Sequence, residues 1–177
     1  MSDPSELRQQ RLLELRDAFD RSFGAPPPER AEDPEQLLAI SLDGHPYALR
    51  LREVQGLYVD RRIRALPGSP PELLGLAALR GELCAAYDLA SLLGYTRMEP
   101  PRYLVVGAGS GVAFAFGTLG GQVRVARSAI SSSDNAREPW LRELIREAGQ
   151  TRPIIELAAV CQLLERRIRS QPTKESD

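Results

Sequence analysis

Three consecutive prolines, Pro26, Pro27 and Pro28, divide this sequence into two parts with different hydrophobic periods. A proline run gives no backbone N–H to a helix or a sheet ladder and holds the chain extended. Before it, Leu12, Leu15, Phe19 and Phe23 recur at helical spacing between charged residues, which predicts an amphipathic helix over residues 5–23 that stops at Gly24. After it, the acidic stretch from Glu29 to Glu35 continues the linker, and from residue 36 the period becomes two. Whatever folds there is built from strands.

Leu38, Ile40 and Leu42 alternate with Ala39, Ser41 and Asp43. Asp43-Gly44 makes a turn, and Tyr47, Leu49 and Leu51 alternate again, the pattern of a β-hairpin. Glycine and proline punctuate the chain at Pro67-Gly68, Pro70-Pro71, Gly75, Gly81 and Gly94, with a short helical turn at Leu89, Leu92 and Leu93 after Asp88. Pro100-Pro101 opens a second β-rich block, in which the strands around Leu104 and Phe114 flank a glycine-rich connection and Val123, Val125 and Ile130 continue the alternation. Ser131 to Asn135 reads as a loop. Leu157, Val160, Cys161, Leu164 and Ile168 mark a C-terminal helix with Arg166, Arg167 and Arg169 at its carbonyl end. Between them, Leu141, Leu144, Ile145 and Ala148 have helical spacing in β-rich surroundings, with Gly149 placed as a helix cap. The expected organisation is a helix and linker over residues 1–35, a β-rich domain over 36–170 and a tail over 171–177.

Composition removes several function classes. The chain has 23 basic and 24 acidic residues, so no basic excess recommends nucleic acid as a partner. Residues 1–35 carry nine acids and five arginines, net −4, against +3 for the remainder. The only histidine, His45, leaves little for a catalytic triad or a zinc site. Cys84 and Cys161 lie far apart in apolar contexts and read as small buried residues in a reducing cytoplasm. The start of the chain lacks the pattern of a secretory signal, and the uncharged run over residues 103–123 is too rich in glycine for a membrane span.

No catalytic constellation stands out. Gly107, Gly109 and Gly111 have the wrong spacing for a phosphate loop and lead into a strand where a helix N-terminus is required. Ser110 is flanked by Ala108 and Val112 where a nucleophile elbow has glycines. Asp88 reads as the cap of the short helical turn, and the Arg61, Arg62, Arg64 cluster as a solvated strand end before a docking patch. The expectation is a binding or scaffolding module with no enzyme activity, no metal and no cofactor.

The series Gly44-x-x-Tyr47-Ala48-Leu49-x-Leu51-x-x-Val54, Leu66-Pro67, Leu74-Gly75-Leu76-x-x-Leu79-Arg80-Gly81 and Asp88-Leu89-x-x-Leu92-Leu93-Gly94 resembles the CheW-like domain of bacterial chemotaxis coupling proteins, in order and spacing. A weaker second half, from Tyr103 to Glu156-Leu157, extends the likeness over residues 36–168. The resemblance implies a mostly β fold of two small five-stranded SH3-like β-barrels sharing a hydrophobic seam. It also implies a cytoplasmic adaptor, recruited to membrane-associated receptor arrays, that couples chemoreceptor tips to the regulatory domain of a CheA-type histidine kinase. Carried over by position, Val54, Gly75, Leu79, Arg80 and Gly81 match the receptor-facing groove. The strand running from Leu57 through Ile63 to Leu66 matches the kinase-facing part of the first barrel. The likeness also makes residues 140–146 a strand.

The sequence departs from the family pattern around Gly121-Gln122, where a Val-Asp pair is usual, and at four single positions. Gly56 stands where an acid is common, Ala78 where Asn precedes the Leu-Arg-Gly triplet, Ala85 where Pro is usual, and Glu156 where Asp or Asn is usual. The helix of residues 5–23 exceeds a minimal coupling protein. It either folds onto its own domain or docks an additional protein through Leu12, Leu15, Phe19 and Phe23. An alternative function is therefore a divergent module that has lost kinase coupling and recruits another protein through that helix.

Overall fold

A strand that is apolar on both faces must find two cores, and the first strand after the linker is of this kind. In a computed structural model that describes residues 34–96, 100–133, 138–147 and 150–170, β1 (Glu35–Leu42) buries Leu38, Ile40 and Leu42 in one cluster and Leu37 in another. It pairs with β2 (His45–Arg50) across the Asp43-Gly44 turn. The expected helix of residues 5–23 and the tail after residue 170 lie outside the described residues.

Two six-stranded sheets follow from this two-sided use of strands. The first runs β3 (Val54–Val59), β7 (Tyr103–Gly107), β8 (Val112–Phe116), β6 (Glu82–Asp88), β5 (Leu73–Leu79), β4 (Ile63–Arg64). The second runs β10 (Ile130–Ser132), β11 (Glu143–Glu147), β12 (Gln150–Ile155), β2, β1, β9 (Thr118–Val125). Six strands per sheet, not the five expected, arise because the very short β4 and β10 each add an edge. Within the described residues the helices are α1 (Leu89–Leu92), α2 (Leu157–Ser170) and two short 3-10 turns, Leu51–Glu53 and Arg127–Ala129.

Alternation sorts the side chains into three cores. Between the sheets, Leu38, Ile40, Leu42, Tyr47 and Leu49 meet Tyr87, Val105, Phe114 and Phe116, and Leu157, Val160 and Leu164 of α2 join the same cluster. The opposite face of the first sheet buries Ala77, Leu79, Cys84, Ala86, Leu104, Val106, Ala113 and Ala115, with Tyr58 and Ile63 packed against them, so all six strands supply one small core. Leu37, Ala48, Val125, Ile145 and Ile154 do the same for the second sheet. Four alanines and a cysteine make up most of the first sheet's small core.

Two segments differ from the sequence reading. Ser131 and Ser132 belong to β10 and pair with Leu144 and Glu143, so the expected loop starts later. The strand expected over residues 140–146 begins at Glu143, after a turn through Pro139 and Trp140. Leu141 enters the inter-sheet core and Ile145 the second small core. Their helical spacing is thus a turn followed by a strand, serving two cores in succession; Gly149 lies outside the described residues. Asp88 caps α1 as expected, accepting the Ser91 N–H at 2.7 Å.

The N-terminus of α2 is capped from across the chain. A glutamate is too long for good local N-capping, and Glu156, preceding the helix, instead pairs with Arg142 at 3.7 Å. The Leu157 N–H donates to Glu53 Oε2 at 2.8 Å. Glu53 belongs to a buried ionic cluster around Arg50, whose guanidinium also meets Glu35 at 3.6 Å and is in direct contact with Glu143. Burial pushes the Glu53 carboxyl above its ordinary range, against the pull of the Leu157 N–H and the Arg50 charge.

Two stability predictions follow from this geometry. Glu53→Ala orphans the Leu157 N–H and removes a partner of Arg50, and should cost about 1–3 kcal/mol in chemical denaturation, whereas Glu53→Gln, which keeps an acceptor, should cost clearly less. At Gly75, φ is +135° and an added Cβ would lie 1.9 Å from the Arg64 carbonyl oxygen on β4. Gly75→Ala should therefore cost about 3 kcal/mol or more in the same assay, because both the backbone conformation and the β4–β5 pairing must give way.

Candidate functional site

The Leu79-Arg80-Gly81 triplet spans the end of β5 and the tight turn into β6. Leu79 pairs with Glu82, leaving Arg80 and Gly81 as the two turn residues, both left-handed at φ 51° and 84°. This is the backbone of a type I′ hairpin turn, which matches the twist of the strands it joins and favours glycine at its second position. Leu79 is buried in the small core of the first sheet. Anchored on one side by that leucine, the turn holds Arg80 outward at the hairpin tip.

A tyrosine that sequence reasoning passed over fixes where that arginine lies. Tyr58 of β3 has the guanidinium carbon of Arg80 5.9 Å from its ring centroid and that of Arg61 at the same distance. Cation–π contacts at exposed sites are worth about 0.5–1 kcal/mol each, enough to bias a rotamer and too little to hold a fold. The Tyr58 ring in turn lies against Gly56, where an added Cβ would come within 3.0 Å of it. The glycine that replaces a common acid thus makes room for the ring. Asp60, beside this group, is engaged by Arg102 at 3.3 Å.

The other residues of the expected receptor-facing set are placed apart from this group. Val54 packs against the inter-sheet core. Gly75 is buried, and its role is the close approach of β4 described above. The structure thus gives Gly75, Leu79 and Gly81 shaping roles and leaves Arg80 as the side chain on display.

The expected continuous strand from Leu57 through Ile63 to Leu66 is broken. Strand β3 ends at Val59, Asp60 turns the chain with φ 50°, and Ile63 lies on β4 at the other end of the strand order. Ile63 packs on the small core, while Leu57 is 37% exposed and Leu66, beyond the strand, 38%. Val59 on the same face of β3 is also exposed, as is Leu83 on β6, at 68%. Both were legible in principle, since each falls on the outward beat of an alternating strand. Strand β3 is an edge, and an edge with apolar side chains is a natural place for another protein to add contacts.

Among the described residues no group of three or more His, Cys, Asp or Glu side chains is arranged to hold a metal, and no helix is long and apolar enough to cross a membrane. Ser110 is occupied in its own turn, donating to the Gly107 carbonyl at 3.0 Å. His45 is exposed, its ring 5.8 Å from that of Tyr95. Cys84 and Cys161 are free thiols, one buried and one half-buried; burial pushes both above the usual thiol range, away from nucleophilic reactivity.

Comparison with known proteins agrees with this geometry. Residues 36–165 match the family model of the CheW-like domain. The crystal structure of the scaffolding protein TtCheW from Thermoanaerobacter tengcongensis is similar in fold, with a TM-score of 0.63 at 18% identity, covering 70% of this chain and 89% of that one. No curated protein matches the sequence. With the family match running from β1 into α2 and through both sheets, the chain belongs to the CheW-like domain family, a family of non-enzymatic scaffolds and adaptors.

Proposed function

We propose that this protein is a chemosensory coupling adaptor that joins chemoreceptor cytoplasmic tips to the regulatory domain of a CheA-type histidine kinase, acting in the cytoplasm at membrane-associated receptor arrays. The observation that carries this reading is the CheW-like match through both sheets, in which the Leu-Arg-Gly triplet forms a hairpin tip presenting Arg80. On this reading Arg80 is the receptor contact, and its planar fork suits a carboxylate or a pair of carbonyls on the receptor. Val54, Gly75, Leu79 and Gly81 shape the surface around it, and Tyr58 orients it. The kinase domain meets the β3 edge, with Leu57 and Val59 as anchors; Ile63 packs on the small core from β4, and Leu66, exposed beyond β4, is the third apolar side chain of the expected set.

The second reading, a module that has lost kinase coupling and recruits another protein through residues 5–23, draws on the missing acid at Gly56. It places the principal contacts on Leu12, Leu15, Phe19 and Phe23, outside the described residues.

Titration against a receptor tip fragment and a kinase regulatory domain separates the readings. Arg80→Glu should weaken receptor binding by more than about 2 kcal/mol, roughly 30-fold, with unchanged circular dichroism and kinase affinity. Tyr58→Leu should cost about 1 kcal/mol on the receptor arm. Removing residues 1–33, which leaves Glu35 and the rest of β1 in place, should leave both affinities unchanged. Unchanged receptor binding by folded Arg80→Glu contradicts the assignment of the tip, and absence of kinase binding by the intact chain favours the second reading.

A further inference from the structure

The second sheet has a split in it. Strand β12 pairs with β2 at only two positions, Ile154↔Ala48 and Ile155↔Leu49, while it stays on β11 as far as Gln150. Ala39 and Ala48, opposite one another on β1 and β2, leave the adjoining space unfilled. The result is a cavity of about 170 Å³ walled by Leu37, Ala39, Ala48, Val123 and Ile145, with Gln150 and Arg152 completing its lining. Arg152 reaches across the split to donate through Nη1 to the Tyr47 carbonyl at 3.5 Å, next to the last paired residue of β2. That long bond engages one of five guanidinium N–H donors.

Size and lining together restrict what fits. Drug-sized ligands and nucleotides need pockets of about 300 Å³ or more. An aliphatic cavity of about 150 Å³ accommodates a ring the size of benzene. A guanidinium and a carboxamide beside such a space favour a planar oxyanion, which arginine can hold through two parallel bonds. On the same sheet, Arg50 already has Glu35, Glu53 and Glu143 around it. An anionic head is therefore drawn to Arg152 and repelled from the opposite end of this core.

We infer that the cavity binds a small organic carboxylate with a branched or aromatic tail of about four to six carbons. The tail lies among Leu37, Ala48 and Ile145, and the carboxylate lies on Arg152 with the Gln150 amide as a second donor. The site is independent of Arg80 and of the coupling role proposed above.

The test is an amide-resolved NMR titration of the full chain with 4-methylpentanoate, with 4-methylpentan-1-ol and acetate as comparison ligands. The acid should give saturable shifts centred on Ala39, Ala48 and Val123, with a dissociation constant in the millimolar range. The alcohol, lacking the charge, and acetate, lacking the tail, should each bind at least about tenfold more weakly. Arg152→Met, which keeps an apolar stem on a partly exposed position, should weaken the acid about tenfold, and Arg152→Lys should recover part of that loss. The inference is overturned by no saturable shift up to ~50 mM acid, by equal binding of acid and alcohol, or by an unchanged affinity in Arg152→Met.

Discussion

The inter-sheet core is the constraint on which the remaining structure depends. Phe114, Leu49, Ile40 and Val105 are fully or almost fully buried there, and the first strand, the central strands of both sheets and α2 all close on it. Truncating a large buried aromatic of this kind costs about 3–5 kcal/mol, a large share of what holds a domain together. Because β1, β2, β7 and β8 spend one face on this seam, their other faces are free to line the two smaller cores. A period of two thereby becomes three cores.

That division also decides where binding surfaces can be. Residues facing the seam or a small core are committed to packing, as Leu79, Gly75 and Ile63 are. What remains for partners is the hairpin tip, the sheet edges and the ends of the small cores. Arg80 stands on a tip made rigid by a buried leucine and a left-handed turn, a better platform for a single charged contact than a long loop. Leu57 and Val59 stand on an edge strand. One end of the second small core is closed by Arg50 and its glutamates, and the Glu53 carboxylate there ties this cluster to the start of α2.

Much of this was legible in the sequence, and the reasons differ by element. The β1–β2 hairpin was, because alternation and an Asp-Gly turn are local signals, and so was the Asp88 cap of α1. The triplet at Leu79 to Gly81 was recognisable by family likeness, while its physical meaning, a buried leucine followed by two left-handed residues, needed the strand register. Other features could not be read from local pattern. The break at Asp60 depends on a backbone angle that no local pattern announces. The strand through Ile145 was given by the family likeness against a local helical spacing, which arises because Leu141 and Ile145 serve two cores in succession. Glu53 capping Leu157, and Tyr58 beneath Arg80, join residues far apart in the chain, and only folding brings them together.

The proposed coupling role requires one copy of this chain to hold two partners at once, through a hairpin tip and a sheet edge. Sedimentation of the purified chain mixed with a receptor tip fragment and a kinase regulatory domain, at concentrations above both dissociation constants, tests it most directly. The account predicts one complex containing all three components, absent when this chain is left out. Two binary complexes that compete for the chain, with no ternary species, would contradict it.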